Sequence, residues 1–185
     1  MQRRFQILLF AGVVLVFILR FDIGAIPEKD ISFWVDAENG DAFAQTQLGQ
    51  AYLFGEDIEQ DEEMGLCWLE RAAKANEPQA NYLLGSLIEQ GRISGGDLKL
   101  AERYYRRAAM RNNAAAQESL ARIYAEPTQL GPPDFVESHK WQILANAHGW
   151  RLQAIDYGAA QWLTAQQLAA SEAAAAALQA KFRNL

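Results

Sequence analysis

Cysteine occurs once in 185 residues, at Cys67, and a single thiol excludes an intramolecular disulfide. Stability must come from packing. Cys67 lies between Leu66 and Trp68 on a predicted helix and reads as a small buried hydrophobe. Histidine occurs twice, at His139 and His148. That separation puts the two rings on opposite sides of one helix, where they cannot chelate a metal together. They read as surface or interface residues. Basic charge is also scarce: 17 Lys and Arg stand against 23 Asp and Glu, a net charge of -6. Arg3, Arg4 and Arg20 flank an N-terminal apolar run, so residues 22–185 hold 14 basic groups against 23 acidic ones. Nucleic-acid binding needs a basic footprint to displace counterions from phosphates, and this composition offers none. Gly-rich phosphate loops, nucleophile elbows and paired active-site carboxylates are absent from the sequence. The acids Glu56, Asp57, Glu59, Asp61, Glu62 and Glu63 lack the alternating ligands and central glycine of a calcium loop. Acids ahead of a helix are favourable without any metal. The expectation is a protein with no catalytic residue, no cofactor and no metal site.

Apolar material is plentiful. Half the residues are hydrophobic and 22% are charged, which fits one folded domain plus an appendage. Thirteen consecutive apolar positions at 7–19 follow Met1-Gln2-Arg3-Arg4. They read as a signal-peptide core or as a short membrane anchor. Ala25 is the nearest candidate cleavage residue, but Ile23 stands where a leader peptidase needs a small side chain. The uncleaved anchor is therefore favoured over a cleaved, soluble periplasmic protein. Residues 5–21 span about 25 Å as a helix, short of the roughly 30 Å hydrocarbon layer, so Arg4 and Arg20 must snorkel. The excess of positive charge ahead of the run places the N-terminus in the cytoplasm and the body outside it.

The body is periodic. Leu48, Leu84 and Leu120 recur at an interval of 36, each four positions after Ala44, Ala80 and Ala116. Gly49, Gly85 and Ala121 follow the leucines directly, with Tyr52, Ile88 and Tyr124 one helical turn later. Ala72-Ala73 and Ala108-Ala109 keep the interval, and Trp68 and Tyr104 precede them by four. Trp141 and Ala145 arrive one residue late, which one extra residue in the loop around Gly131-Pro132-Pro133 explains. Self-similarity at this period defines an all-α solenoid of about three helix-turn-helix units.

The first helix of unit one is expected over about 42–54 and ends at Gly55, a residue free to adopt the left-handed cap. Gly91 does the same for unit two. Asp61 and Asp97 read as N-caps of second helices over about 62–75 and 98–111. Met64, Trp68 and Ala72 share one face, as do Leu100, Tyr104 and Ala108, and these faces should bury the aromatics against the preceding helix. Glycine costs a helix about 1 kcal/mol relative to alanine, so Gly49 and Gly85 imply a close helix approach.

AQTQLGQAYLFGEDIEQDEEMGLCWLERAAKAN at 44–76 and ANYLLGSLIEQGRISGGDLKLAERYYRRAAMRN at 80–112 each resemble a Sel-one-like repeat, a relative of the tetratricopeptide repeat. The resemblance carries Ala44, Leu48, Gly49, Tyr52, Gly55, Trp68, Ala72 and Ala73 over as structural signature positions. In unit two they are Ala80, Leu84, Gly85, Ile88, Gly91, Tyr104, Ala108 and Ala109. Unit three keeps Leu120, Tyr124, Trp141 and Ala145, while Ala121 and Pro127 stand where glycines are usual. Thr164 and Gln167 form a capping box before a helix whose Leu168, Ser171, Ala175, Leu178 and Phe182 can cover the last unit. At the other end, residues 31–38, with Phe33 and Trp34, look like a capping half-repeat. The organisation expected is an anchor at 1–22, a tether at 23–30, repeats over 31–150 and capping helices over 151–185. The units fall at about 42–76, 78–112 and 114–150.

The resemblance implies a non-catalytic scaffold that binds another protein or peptide on the face of its first helices. In tetratricopeptide geometry that face presents Phe43, Gln47, Gln50 and Phe54 from unit one, and Tyr82, Ser86 and Gln90 from unit two. Unit three adds Arg122 and Glu126. Amides hold extended backbone and aromatics anchor apolar side chains. Whether Phe43 and Tyr82 serve a partner or pack between units stays open at this stage. Three roles follow: an adaptor in the bacterial inner membrane with a periplasmic repeat domain, an immunity- or inhibitor-type protein binding a toxin or hydrolase there, and a cell-wall-related ligand binder. The third lacks the cysteine pairs of the relatives that carry it.

Overall fold

The computed structural model describes residues 31–56, 58–148 and 156–184. The expected anchor and tether lie outside these residues, and among the described ones no helix is long and apolar enough to cross a membrane. Eight α-helices follow one another here: α1 (Ile31–Glu38), α2 (Ala42–Phe54), α3 (Glu62–Lys74), α4 (Pro78–Glu89), α5 (Leu98–Ala109), α6 (Ala114–Ala125), α7 (Phe135–Asn146) and α8 (Ala165–Phe182). A 3₁₀ turn at Ala159–Trp162 precedes α8. Each helix packs on the next, most extensively within the pairs α2–α3, α4–α5 and α6–α7. First helices start at 42, 78 and 114, and second helices at 62, 98 and 135, so the interval and its one-residue slip are both structural.

The slip is confined to one loop. Asp61 N–H donates to Tyr52 C=O at 2.9 Å, and Asp134 N–H donates to Tyr124 C=O at 2.9 Å, so both loops are pinned at equivalent ends. The extra residue is absorbed between them, where Thr128 and Gly131 form an isolated bridge. Glu126 leaves α6 with extended backbone (φ -120, ψ 153), as a residue before proline must. Pro127 thus replaces the left-handed exits of Gly55 (φ +70) and Gly91 (φ +71).

Side-chain caps set the helix starts. Asp41, Asp61, Glu77, Asp97, Asn113 and Asp134 each accept a hydrogen bond from the backbone N–H three residues on, and Thr164 with Gln167 makes the expected capping box. The second helices are shorter than expected by one or two residues, because Asn76 (φ +61) and Asn112 (φ +63), themselves 36 apart, turn the chain out of the last turn.

Close approach explains the recurring small residues. A Cβ on Gly49 would stand 2.7 Å from Leu69 Cγ and 3.0 Å from Gly65 O, and one on Gly65 would stand 2.7 Å from Leu53 Cγ. Gly85 crosses Ala101 in the same way in unit two. In unit three the crossing pair is Ala121 and Ser138, and the buried Ser138 hydroxyl donates to Ala121 C=O at 2.8 Å. The signature residues Ala44, Leu48, Ala80, Leu84, Ala116 and Leu120 are all buried, as are Ala72, Ala108 and Ala145.

Two expectations need correction. Cys67 is exposed, because Gly65, Trp68, Leu69, Ala72 and Ala73 form the buried side of α3 and Cys67 falls outside that stripe. In unit two the fully buried aromatic is Tyr105, while Tyr104 is only half-buried. Gly85 opens space for the ring one position later, where unit one has Leu69.

Both ends are closed as expected. Ala37 is buried, Trp34 meets Tyr52 and Trp68 edge-on at 5.8 and 6.0 Å, and Gln45 Nε2 donates to Ala37 C=O at 2.8 Å. Gln117 Nε2 makes the same bond to Ala109 C=O at 3.3 Å, two intervals along, so α1 stands in the place of a second helix. At the other end Ser171 and Ala175 of α8 are buried, and Leu178 and Phe182 pack on the cluster around Trp141. His139 Nδ1 bonds to Ser171 Oγ at 2.7 Å, and His148 Nε2 to Gln117 Oε1 at 3.2 Å, so both histidines sit between elements.

An ionic knot ties unit two to unit three. Arg106 donates to Glu102 Oε1 at 2.7 Å and to Tyr124 Oη at 2.6 Å, and it lies 3.6 Å from Glu137 Oε2. Glu137 also accepts from Lys140 and from Trp141 Nε1. Burial works against its ionisation, but the Lys140 hydrogen bond and the charges of Lys140 and Arg106 outweigh that and hold the carboxyl below its ordinary range. A depressed folded value contributes stability above the unfolded value and loses it as pH falls through the folded one. Glu137→Gln should therefore cost on the order of 2 kcal/mol at neutral pH. In thermal melts the gap to wild type should close below about pH 4. An equal gap at pH 3 and pH 7 would show that the charge is not its source.

Candidate functional site

Position on the helix decides which side chains α2 can offer. Its buried residues are Ala44, Gln45, Thr46, Leu48, Gly49 and Leu53, which leaves Phe43, Gln47, Gln50 and Phe54 as a stripe on the other side. Phe43 is 62% exposed and Phe54 52%, with the half-buried amides of Gln47 and Gln50 between them. Thr46 falls beside this stripe but bonds to Ala42 C=O and to Glu77 instead.

The equivalent positions on α4 and α6 form two columns at the repeat interval. Phe54, Gln90 and Glu126 are all exposed; Gln50 and Ser86 are half-buried, and Arg122 is exposed. In units two and three, Ser86, Gln90 and Arg122 are already engaged. Gln90 Nε2 donates to Ser86 Oγ at 2.9 Å, and Arg122 Nη2 donates to Glu89 Oε1 at 2.6 Å. Glu89 Oε2 accepts from the buried Tyr105 hydroxyl at 2.7 Å. Burial, and then Glu89, push the Tyr105 phenol well above its usual range, so it remains a donor. Tyr82 packs against Tyr105 with ring centroids 6.0 Å apart, and its ring joins the core.

The face therefore has two parts. Unit one is apolar and open, with two aromatic rings on either side of two amides. Units two and three carry a hydrogen-bonded polar patch that welds α4 to α6. Of the nine residues expected here, Phe43, Phe54, Gln90 and Glu126 are exposed and Gln47, Gln50 and Ser86 half-buried; Arg122 is held by Glu89, and Tyr82 is mainly a packing residue. Glu89 and Tyr105 join the patch without standing at an expected position. Glu89 and Arg122 are 33 residues apart rather than 36, so a search at the repeat interval passes over the pair. Among the described residues no group of three or more His, Cys, Asp or Glu is close enough to hold a metal.

Stacked antiparallel helix pairs with one open first-helix face define a tetratricopeptide-like α-solenoid. Residues 42–77 and 78–113 match the Sel1 repeat family. A Sel1 repeat protein from Oxalobacter formigenes, solved by crystallography, is 31% identical with a TM-score of 0.61, over 66% of this chain and 92% of that one. The chain belongs to the Sel1 repeat family. The crystal structure of c5321, a protective antigen present in uropathogenic Escherichia coli strains, shares the fold at 21% identity and a TM-score of 0.58, over 82% of this chain and 35% of that one. Among curated proteins, the uncharacterized protein NMB1327 of Neisseria meningitidis serogroup B is 28% identical over 137 residues. That match covers 71% of this chain but only 28% of the relative's length. Sel1 repeat proteins are generally protein-interaction scaffolds and typically non-catalytic.

Proposed function

We propose that this chain is a non-catalytic adaptor that holds another protein against the first-helix face of unit one. Residues 5–21 anchor it in the bacterial inner membrane, and its repeats occupy the periplasm. Phe43 and Phe54 carry the proposal: two phenylalanines on one stripe of one helix, each more than half exposed, leave apolar surface that folding does not need. Gln47 and Gln50 between them can bond an extended backbone while the rings take its apolar side chains. The anchor rests on the apolar run at 7–19 and its flanking arginines.

A photoreactive amino acid at Phe54 in the full chain, irradiated in native membranes, should cross-link one protein that the same probe at Glu172 does not. Phe43→Ser with Phe54→Ser should abolish that product with helicity unchanged, since both side chains stand on the surface. The same product from the Glu172 probe, or its survival in the double variant, would move the site elsewhere. A periplasm-dependent reporter fused to the C-terminus should be active; activity of a cytoplasm-dependent one would overturn the topology.

A further inference from the structure

The overall acidity of the chain conceals a local inversion. An open pocket of about 670 Å³ lies between α5 and the end of α8, and five of its seven lining residues are cationic: Arg103, Arg106, Arg107, Arg111 and Lys181. The other two are Asn76 and Met110, so no carboxylate lines it. Of the 14 basic groups in residues 22–185, more than a third converge here. None of the lining residues belongs to the first helices that carry Phe43 and Phe54.

The pocket is built by spacing. Arg103, Arg107 and Arg111 stand four residues apart on one side of α5 and its C-terminal turn, all exposed, with Lys99 extending the line by one more turn. Like charges at that spacing repel, so the column opposes helix formation unless an anion covers it. Arg106 is neutralised by Glu102 and Glu137 and serves as a fixed wall, and the Arg107 guanidinium lies 5.7 Å over the Tyr104 ring. Among the described residues Arg103, Arg111 and Lys181 have no acidic partner.

The geometry points to a second docking surface, for an extended protein segment with acidic residues at alternate positions. Four residues of helix rise about 6 Å. Alternate side chains of an extended strand point the same way and repeat at about 6.6 Å. Successive carboxylates of a Glu-x-Glu-x-Glu segment therefore meet successive guanidinium groups, which bind carboxylates with two parallel hydrogen bonds. Three arginines and a lysine make too short a footprint for a long polyanion, which the acidic remainder of the chain repels.

The test uses the full chain in detergent and a fluorescent Glu-Ser-Glu-Ser-Glu-Ser-Glu peptide, read by anisotropy. Wild type should bind it, more weakly as salt rises. Combined Arg103→Glu, Arg107→Glu and Arg111→Glu should weaken binding by about tenfold or more with helicity unchanged. Should the reversal impair folding, combined Arg103→Gln and Arg107→Gln should weaken binding to a lesser degree. Phe43→Ser with Phe54→Ser should leave binding intact, which separates this surface from the aromatic one. Failure of the wild type to bind, equal binding by the folded arginine variants, or preference for phosphatidylglycerol vesicles or duplex DNA over the peptide would each overturn the proposal.

Discussion

Gly85→Leu should lower the melting temperature by about 6–12 °C, an effect out of proportion to one surface-sized change. A Cβ at this position would stand 2.8 Å from Tyr105 Cδ1, 2.9 Å from Cε1 and 3.2 Å from Ala101 O. The tyrosine ring has nowhere to go. It is buried, and its hydroxyl is bonded to Glu89, which Arg122 grips in turn. The backbone oxygen of Ala101 is fixed by α5. Leucine gains about 1 kcal/mol of helix propensity over glycine, against an overpacking cost of about 4 kcal/mol, above the usual 1–3 because ring and backbone are both fixed, so a net loss of about 3 kcal/mol is expected. Gly85→Ala separates the two effects: propensity alone predicts a gain, and close approach predicts a loss or no change. A melting temperature for Gly85→Leu within a degree or two of wild type would sink the argument.

Gly85 also belongs to the part of the fold that the sequence displays openly. The interval of 36 is legible because every unit must bury the same side of each helix against the same kind of neighbour, so Ala44, Leu48 and Gly49 return as Ala80, Leu84 and Gly85. Cap residues are legible because they act within three positions of themselves. Asp61, Asp97 and Thr164 do in the structure what local chemistry requires. Interactions that cross units out of register are not legible in this way. Glu89 with Arg122, and Arg106 with Tyr124 and Glu137, depend on how far one unit is rotated against the next, a quantity no single unit encodes. Cys67 is exposed although its neighbours Leu66 and Trp68 suggest burial, because α3 buries Gly65, Trp68, Leu69, Ala72 and Ala73 and adjacency along a helix does not share a face. The basic pocket was hidden by a chain-wide charge count, which cannot register that five cations lie together. Of the expected face, the unit-one side chains stand on the open side of α2 as the helical period requires, whereas Tyr82 and Arg122 are engaged by the protein itself.

Trp141→Ala should be the most costly single truncation in the third unit, and its effect should be local. Trp141 is fully buried in the cluster that holds Leu120, Ala121, Leu144 and Ala175, and its Nε1 donates to Glu137 at 3.1 Å. The Lys140 ammonium lies 4.7 Å from its ring centre and the Arg106 guanidinium 5.9 Å, so the indole is also one wall of the ionic knot. Removing such a ring costs about 3–5 kcal/mol through lost transfer energy and the cavity it leaves, a large share of the 5–15 kcal/mol that stabilises an ordinary domain. The fold decides where that loss is felt. In a solenoid each unit contacts only its neighbours, and unit one has a core of its own in Ala37, Ala44, Leu48 and Trp68. Amide exchange in Trp141→Ala should therefore accelerate first in α6, α7 and α8, while α2 and α3 keep most of their protection. Gly85→Leu, in the middle unit, should loosen both flanks. Equal loss of protection in all helices of Trp141→Ala would show one cooperative unit instead of stacked ones. It would also mean that a partner held at Phe43 and Phe54 senses events at the far end of the chain.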